Sequence, residues 1–202
     1  MFGSDSSEAP DPYIDPVSRV LHNLVGARTH QALRDAESDL ATARTIQIQN
    51  ERLVAATRDF AELCELHRNL FQDVFAWAGV PRQIDFARGT GESFAPYALV
   101  ERGAKNLFEG LAGEDHLRGL GRGSFIEKLA YYYNELNFLH PFRDGNGRTQ
   151  RLFWSRVSFD AGWLLDWRPI HGEELNEVSR IAREDDDLGP LLDSLARCVV
   201  AR

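Results

Sequence analysis

The chain has 202 residues, is 43% hydrophobic and carries a formal net charge of −8. This length is enough for one domain with a sizeable core, and the acidic balance excludes a non-specific nucleic-acid-binding protein, which needs a basic surface. No stretch is long and apolar enough for a membrane span, and residues 3–12 lack the apolar centre of a signal peptide. We therefore expect a cytoplasmic protein with no membrane partner, a flexible tail at residues 1–12 and a single domain at 13–202.

Apolar residues at helical spacing predict helices over most of the chain. The first three are expected near residues 17–25, 31–53 and 59–78. Asp59 and Glu62 form the pattern of a capping box at the start of the third helix. His67 lies on the apolar stripe of that helix, which indicates a core histidine, and Cys64 and Cys198 are expected to be buried free thiols.

Alternating polar and apolar residues at 83–86, a turn-prone segment at 88–91 and a further segment at 93–96 predict a β-hairpin. Helices are then expected near 99–111 and at 125–139, the second with a capping box formed by Ser124 and Glu127. Further helices are predicted at 146–162, 172–184 and 188–200, with a capping turn at the three aspartates 185–187.

Residues 140–151 read His-Pro-Phe-Arg-Asp-Gly-Asn-Gly-Arg-Thr-Gln-Arg and form the most specific segment of the chain. Gly145 and Gly147 allow backbone N–H groups to approach a ligand, and a helix that begins here favours an anion. Arg148 and Arg151 are three residues apart and therefore share a helix face. Two cations near the positive end of a helix dipole are unfavourable unless an anion lies between them. The segment predicts a phosphate-binding site.

Two further side chains in this segment are suited to chemistry on a bound phosphate. Asp144 offers a hard oxygen ligand for Mg²⁺, which binds one or two carboxylates together with phosphate oxygens. His140 can take up a proton near neutral pH. A base, a metal ligand and a phosphate-binding turn therefore occur within twelve residues.

The segment resembles the signature of the Fic family, His-x-Phe-x-(Asp/Glu)-Gly-Asn-Gly-Arg-x-x-Arg, at every restricted position. The resemblance covers roughly residues 55–200, the expected core of the domain. It implies an all-α Fic fold, a bundle of about eight helices with a β-hairpin flap over the active site. The implied reaction is transfer of AMP from ATP to a hydroxyl side chain of a target protein, with Mg²⁺ as cofactor.

The resemblance also assigns roles to individual residues. His140 would deprotonate the target hydroxyl, Phe142 would anchor the loop and Asp144 would bind Mg²⁺. The nucleotide phosphates would be bound by Gly145, Asn146, Gly147, Arg148 and Arg151, with Arg151 at the γ-phosphate. Target docking at the flap would involve Ile84, Asp85, Phe86 and Phe94. Adenine recognition would involve Asn176 or Ser179.

Several alternatives to adenylyl transfer stay open on the sequence. A family branch that transfers phosphate carries lysine at the position of Gly147 and lacks the final arginine, so Gly147 and Arg151 argue against it. A phosphocholine-transferring branch is not excluded by the motif. A catalytically idle nucleotide-binding adaptor is a further alternative, although such a protein has no need of His140.

The resemblance also has implications for how the activity is regulated. Small stand-alone relatives are toxins, restrained by a helix with the motif Ser/Thr-x-x-x-Glu-Gly/Asn that places a glutamate against the second motif arginine. In this chain only Ser4 has a glutamate four residues later, and Ala9 follows Glu8. We therefore expect either an unregulated enzyme or the toxin of a pair in which a small antitoxin supplies the helix. An ATPase subunit of a type II topoisomerase is a possible target by the same resemblance.

Overall fold

The computed structural model describes residues 11–87 and 93–202, and these residues are predominantly helical. The helices are α1 (His30–Glu51), α2 (Phe60–Phe71), α3 (Val100–Gly113), α4 (Arg122–Leu139), α5 (Asn146–Asp160), α6 (Gly172–Glu184) and α7 (Gly189–Cys198). Short 3₁₀ segments lie at Tyr97–Leu99 and Asp115–Leu117. Strands β1 (Trp163–Leu165) and β2 (Val199–Ala201) pair antiparallel, with Leu164 opposite Val200. The predicted all-α class is confirmed.

The core forms where α5 packs against α2 and α4. Trp154 and Phe153 of α5 are fully buried. The stripe predicted on α4 is buried as expected and consists of Ile126, Leu129, Ala130, Tyr133 and Leu136. Because α4 ends just before the motif segment and α5 begins within it, these two packed helices position that segment.

The N-terminal region differs from its prediction. Residues 17–25 form turns instead of a helix, with a bridge between Ile14 and Leu21, and Val17 is 91% exposed. The Asp15 carboxylate accepts hydrogen bonds from the backbone N–H groups of Val17 and Ser18, a local turn that competes with a helix. Within the predicted tail, residues 1–10 lie outside the described part, and Asp11 forms an ion pair with Arg143 at 2.7 Å.

Helix termini account for most of the other differences. α2 ends at Phe71, before the predicted end near residue 78, and α4 begins at Arg122, so the capping box at Ser124 is wrong. At the start of α2 the Asp59 carboxylate accepts from the Glu62 N–H at 2.9 Å, as predicted. The Glu62 carboxylate binds the N–H of Arg58 instead of closing the box. Strands β1 and β2 were not predicted, because three-residue strands carry too short a pattern.

Two smaller predictions concern the thiols and the membrane. Both cysteines are free; Cys198 is buried, whereas Cys64 is only half-buried. In the described ranges we find no helix with the length and apolar character needed to cross a bilayer.

A buried ion-pair network connects the start of α2 with the end of α5. The Glu62 side chain is fully buried and binds Arg58 at 2.6 Å and Arg156 at 2.8 Å. Arg58 also pairs with Asp160 at 2.6 Å. Removing the central carboxylate would leave two guanidinium groups without their buried partner. This change lowers the free energy of unfolding far more than the loss of a surface ion pair does.

We expect Glu62→Ala to lower the free energy of unfolding by about 3–5 kcal/mol. Glu65→Ala is the matched control on the same helix, because Glu65 forms an exposed pair with Arg68; it should cost less than about 1 kcal/mol. Urea unfolding followed by circular dichroism measures both. Equal effects of the two substitutions would contradict the importance of the buried network.

Candidate active site

The base predicted from the sequence lies at the end of α4. His140 is the residue that caps this helix, in a left-handed conformation with φ 43° and ψ 62°, and its N–H donates to the Leu136 carbonyl at 3.0 Å. A left-handed backbone is unfavourable for a residue other than glycine and needs support from its surroundings. Ending the helix in this way turns the chain directly into the motif loop.

Arg82 provides that support. Its side chain is fully buried, and the Nε group donates to the His140 carbonyl at 2.8 Å. The remaining nitrogens donate to the carbonyls of Ile84, Leu139 and Ala95. Burial lowers the pKa of Arg82 from its usual value, yet a guanidinium stays charged at physiological pH. One cation therefore joins the backbone of His140 to both ends of the predicted flap.

The imidazole of His140 is oriented by neighbours on three sides. Nδ1 lies 3.3 Å from the Asn137 carbonyl, which can only accept, so this contact is a hydrogen bond when the proton is on Nδ1. The Phe94 ring stacks on the imidazole with centroids 3.7 Å apart, and Phe86 meets it edge-on at 5.8 Å. The guanidinium of Arg183 lies 4.6 Å from the Phe94 ring centre.

The predicted hairpin is present at its base. Ala87 and Ser93 form an antiparallel bridge, and the Phe94 N–H donates to the Phe86 carbonyl at 3.3 Å. Asp85 accepts from the Tyr97 N–H at 2.6 Å. The turn predicted at residues 88–91 lies outside the described residues. Phe94 is 4% exposed, so its ring contributes to the setting of the base rather than to an open docking surface.

The motif loop is held by Asn146 and Phe142. The Asn146 side chain accepts from the Phe142 N–H at 2.9 Å and donates to the Phe142 carbonyl at 2.7 Å. Asn146 is 3% exposed, so it acts on the loop from inside, and only its backbone can contribute to an anion site. Phe142 is fully buried, in agreement with its expected role as the anchor.

His67 lies beneath this loop and is the core histidine that the sequence predicts. Its ring stacks on Phe142 at 3.8 Å. Nδ1 accepts from the Gly79 N–H at 2.8 Å, so Nε2 carries the proton and donates to the Asp144 carbonyl at 3.0 Å. Burial lowers the pKa of His67 to about 3. The residue is therefore neutral at physiological pH and has a structural role behind the active site.

Gly145 is required by its position at the start of α5. Its φ is +79°, and a Cβ atom here would lie 2.5 Å from the ring of Phe71. The Gly145 carbonyl accepts from both the N–H and the hydroxyl of Thr149. α5 consequently begins with its unpaired N–H groups next to the motif loop, at the positive end of the helix dipole.

The two motif arginines follow on α5 and differ in their surroundings. Arg148 donates to the Glu37 carboxylate on α1, and its guanidinium lies 4.7 Å from the centre of the Phe71 ring. Within residues 11–87 and 93–202, Arg151 forms no ion pair. Burial, and to a smaller extent the charge of Arg148, lower the pKa of Arg151. A polyanion would relieve both effects.

A cavity of about 810 Å³ collects most of the residues predicted for the site. Its walls include His140, Asp144, Gly145, Asn146, Gly147, Arg148, Arg151, Phe86 and Asn176. A smaller cavity of about 300 Å³ adjoins it at His140 and Asn176 and also contacts Ser179 and Phe94. Ile84 and Asp85 line neither cavity. A nucleotide polyphosphate is the kind of ligand that the larger cavity suits.

The donor set of this cavity fits a magnesium–phosphate complex. Asp144 lies on the wall, and its Oδ1 already accepts from the Gly145 N–H at 2.6 Å. Burial and the nearby Asp144 charge raise the pKa of Glu37, while Arg148 opposes them. Two carboxyl groups, Glu37 and Asp144, therefore share the wall of this cavity, and carboxylate oxygens are suitable ligands for a divalent cation that also binds phosphate oxygens.

Sequence reasoning missed two residues of this site. Arg82 gave no signal, because an arginine in a loop is normally exposed. Glu37 gave a weak signal, since it is an acidic residue at a buried position of α1. The other buried positions of this helix are apolar: Leu33, Ala41 and Ile48. An acid on the inner stripe of a helix calls for a cationic partner elsewhere in the fold.

Comparison with known proteins places this geometry in a family. A family model described as Fic/DOC matches residues 57–157, half of the chain. "Protein adenylyltransferase VbhT" of Bartonella schoenbuchensis is 37% identical over 84% of this chain, which spans about a third (35%) of VbhT. "Probable protein adenylyltransferase Fic" of Salmonella typhimurium is 36% identical, with 86% of this chain and 84% of that protein covered.

Solved structures of related proteins have the same fold as this chain. The N-terminal Fic domain of a Bep effector protein from Bartonella quintana, determined with bound ADP, superposes with a TM-score of 0.87 at 26% identity, covering 94% of this chain and 95% of that one. BepC of Bartonella tribocorum with bound AMPPNP shares the fold, with a TM-score of 0.89 at 23% identity over 94% and 97% of the two chains. With the signature intact and the fold matched over nearly its whole length, this chain belongs to the Fic/DOC family.

Proposed function

We propose that this chain binds ATP with Mg²⁺ in the cavity beside α5 and transfers AMP to a hydroxyl side chain of a target protein. Assignment as a protein adenylyltransferase, and hence a nucleotidyltransferase, is supported by relatives that match most of this chain and are named protein adenylyltransferase or probable protein adenylyltransferase. The observation that carries the proposed mechanism is the location of His140 on the wall of the cavity that Arg148 and Arg151 also line.

In the proposed reaction His140 acts as the general base. Its Nε2 accepts the proton of the target hydroxyl, whose oxygen forms a bond to the α-phosphorus. The bond from that phosphorus to the bridging oxygen breaks, and diphosphate leaves. Most of the acceleration would come from alignment and from neutralising the phosphate charge. A proton on Nδ1, donated to the Asn137 carbonyl, is the tautomer that this step needs, and the 3.3 Å contact between the two groups is compatible with it.

The phosphates would be bound by the start of α5. Backbone N–H groups near Gly145 and Gly147 point outward from the helix, and Arg148 and Arg151 would contact the β- and γ-phosphates. Asp144 would hold Mg²⁺, which would offset the negative charge of the phosphates. Asn176 and Ser179, at the adjoining smaller cavity, are the proposed adenine contacts.

The target segment would add to the exposed edge of the flap as a further strand, so that main-chain hydrogen bonds orient its hydroxyl. Ile84, Asp85 and Phe86 lie on the first flap segment and are the proposed docking residues. We further propose action in the cytoplasm, where ATP and Mg²⁺ are available. An ATPase subunit of a type II topoisomerase is the target class that the family resemblance suggests.

We expect His140→Ala to abolish transfer of label from [α-³²P]ATP to protein while nucleotide binding is kept. The reason is that only the proton acceptor is removed, whereas the phosphate contacts lie on α5. Incubation with cell lysate and Mg²⁺, followed by gel electrophoresis, measures the transfer. His22→Ala is the control, because His22 is exposed and does not line the cavity.

Labelled γ-phosphate distinguishes the alternatives within the family. AMP transfer moves the α label and not the γ label to protein, whereas phosphoryl transfer moves only the γ label. Transfer that persists in His140→Ala would contradict the assigned base. Binding of ATP without any transfer would indicate an adaptor protein.

Asp144→Asn should raise the Mg²⁺ concentration needed for half-maximal activity by about tenfold, because an amide is a weaker ligand for a hard cation than a carboxylate. The amide oxygen can still accept from the Gly145 N–H, so the loop should keep its shape. Titration of nucleotide binding with Mg²⁺ gives a readout independent of transfer. An unchanged Mg²⁺ dependence would show that another group binds the metal.

We also propose a small antitoxin partner that supplies a glutamate to Arg151 and thereby competes with the γ-phosphate. The absence of a carboxylate partner for Arg151 within the described ranges supports this proposal. Co-expression with the product of the upstream neighbouring gene should yield a complex on size-exclusion chromatography and suppress AMP transfer. Separate elution and unchanged activity would count against this partner.

A further inference from the structure

We propose that Glu37 is a positioning residue that holds Arg148 toward the polyphosphate of the bound nucleotide. The inference rests on the proposed function for the identity of the ligand. It assigns to α1, which lies outside the motif and outside the region matched by the family model, a part in nucleotide binding.

The location of Glu37 is unusual for an acid. It occupies the inner face of α1 between the buried residues Leu33 and Ala41, and its side chain is 6% exposed. An apolar residue would fill this position without the cost of removing a carboxylate from water. The contact that offsets this cost is the hydrogen-bonded ion pair with Arg148.

Arg148 is restrained from two sides by different elements. Glu37 of α1 accepts from its Nη2, and the ring of Phe71 at the end of α2 lies 4.7 Å from its guanidinium carbon. A third of the Arg148 side chain is nevertheless exposed (33%), and the residue lines the large cavity. A long side chain fixed in this way loses less conformational entropy when it binds a phosphate.

The charges of the two motif arginines also support a positioning role for Glu37. Arg148 lowers the pKa of Arg151 through repulsion, and both cations lie near the positive end of α5. The Glu37 carboxylate, which also lines the cavity, compensates one of these charges, so that both arginines can share one face before the nucleotide binds. Without this carboxylate, Arg148 can rotate away from Arg151 into solvent.

The test is a double-mutant cycle on nucleotide affinity, measured by isothermal titration calorimetry with Mg²⁺. Glu37→Gln keeps the size of the side chain but removes its charge, and should weaken ATP and ADP binding about tenfold, as expected for loss of a charged hydrogen bond. AMP, which lacks the β- and γ-phosphates, should bind as in the wild type. In an Arg148→Gln background, Glu37→Gln should have no further effect.

Asp39→Asn is the matched control, because it removes one negative charge from an exposed position on the same helix. The proposal is overturned if Glu37→Gln leaves ATP affinity unchanged, tightens it, weakens AMP equally, or acts equally in the Arg148→Gln background. Tighter binding of ATP by Glu37→Gln would show that Glu37 competes with the nucleotide for Arg148. A wild-type chain that binds no ATP would instead overturn the proposed function, and this inference with it.

Discussion

The site depends on one buried cation. Arg82 belongs to neither the motif nor the flap, yet its guanidinium donates to the carbonyls of His140 and Leu139 on one side and of Ile84 and Ala95 on the other. Leu139 ends α4, His140 caps it, and Ile84 and Ala95 lie outside regular helices and strands, so Arg82 supplies donors to carbonyls at irregular positions of the backbone. A single planar donor with five N–H groups meets this need better than several separate residues could.

A second layer of support holds the motif loop from within the core. Asn146 closes the loop on Phe142, Phe142 stacks on His67, and His67 binds the Asp144 carbonyl. The loop that carries Asp144, the proposed metal ligand, is thus fixed by uncharged groups. The charged groups, Asp144, Arg148 and Arg151, are left on the cavity wall, where a nucleotide can use them. The groups that hold the loop in place are therefore different from the charged groups that a ligand would contact.

Much of the fold and the site could be predicted from the sequence, and the exceptions have physical causes. The motif could be recognised because His140, Gly145 and Arg151 are chemically restricted and close in sequence. α4 could be predicted from its apolar spacing. The segment at 17–25 has similar spacing, but its turn is decided by the Asp15 side chain. Arg82 and Glu37 act through partners 58 and 111 residues away, and no local pattern reports such a pair.

The neutral state of His67 has a consequence for the stability of the enzyme. In the unfolded chain this imidazole has an ordinary pKa near 6.5, whereas the folded protein holds it at about 3. Unfolding therefore takes up a proton between about pH 6.5 and pH 3, so the native state loses stability progressively as the pH falls through this range. Acid stress would thus act on the catalytic loop from its inner side, by favouring the opened chain in which His67 is protonated.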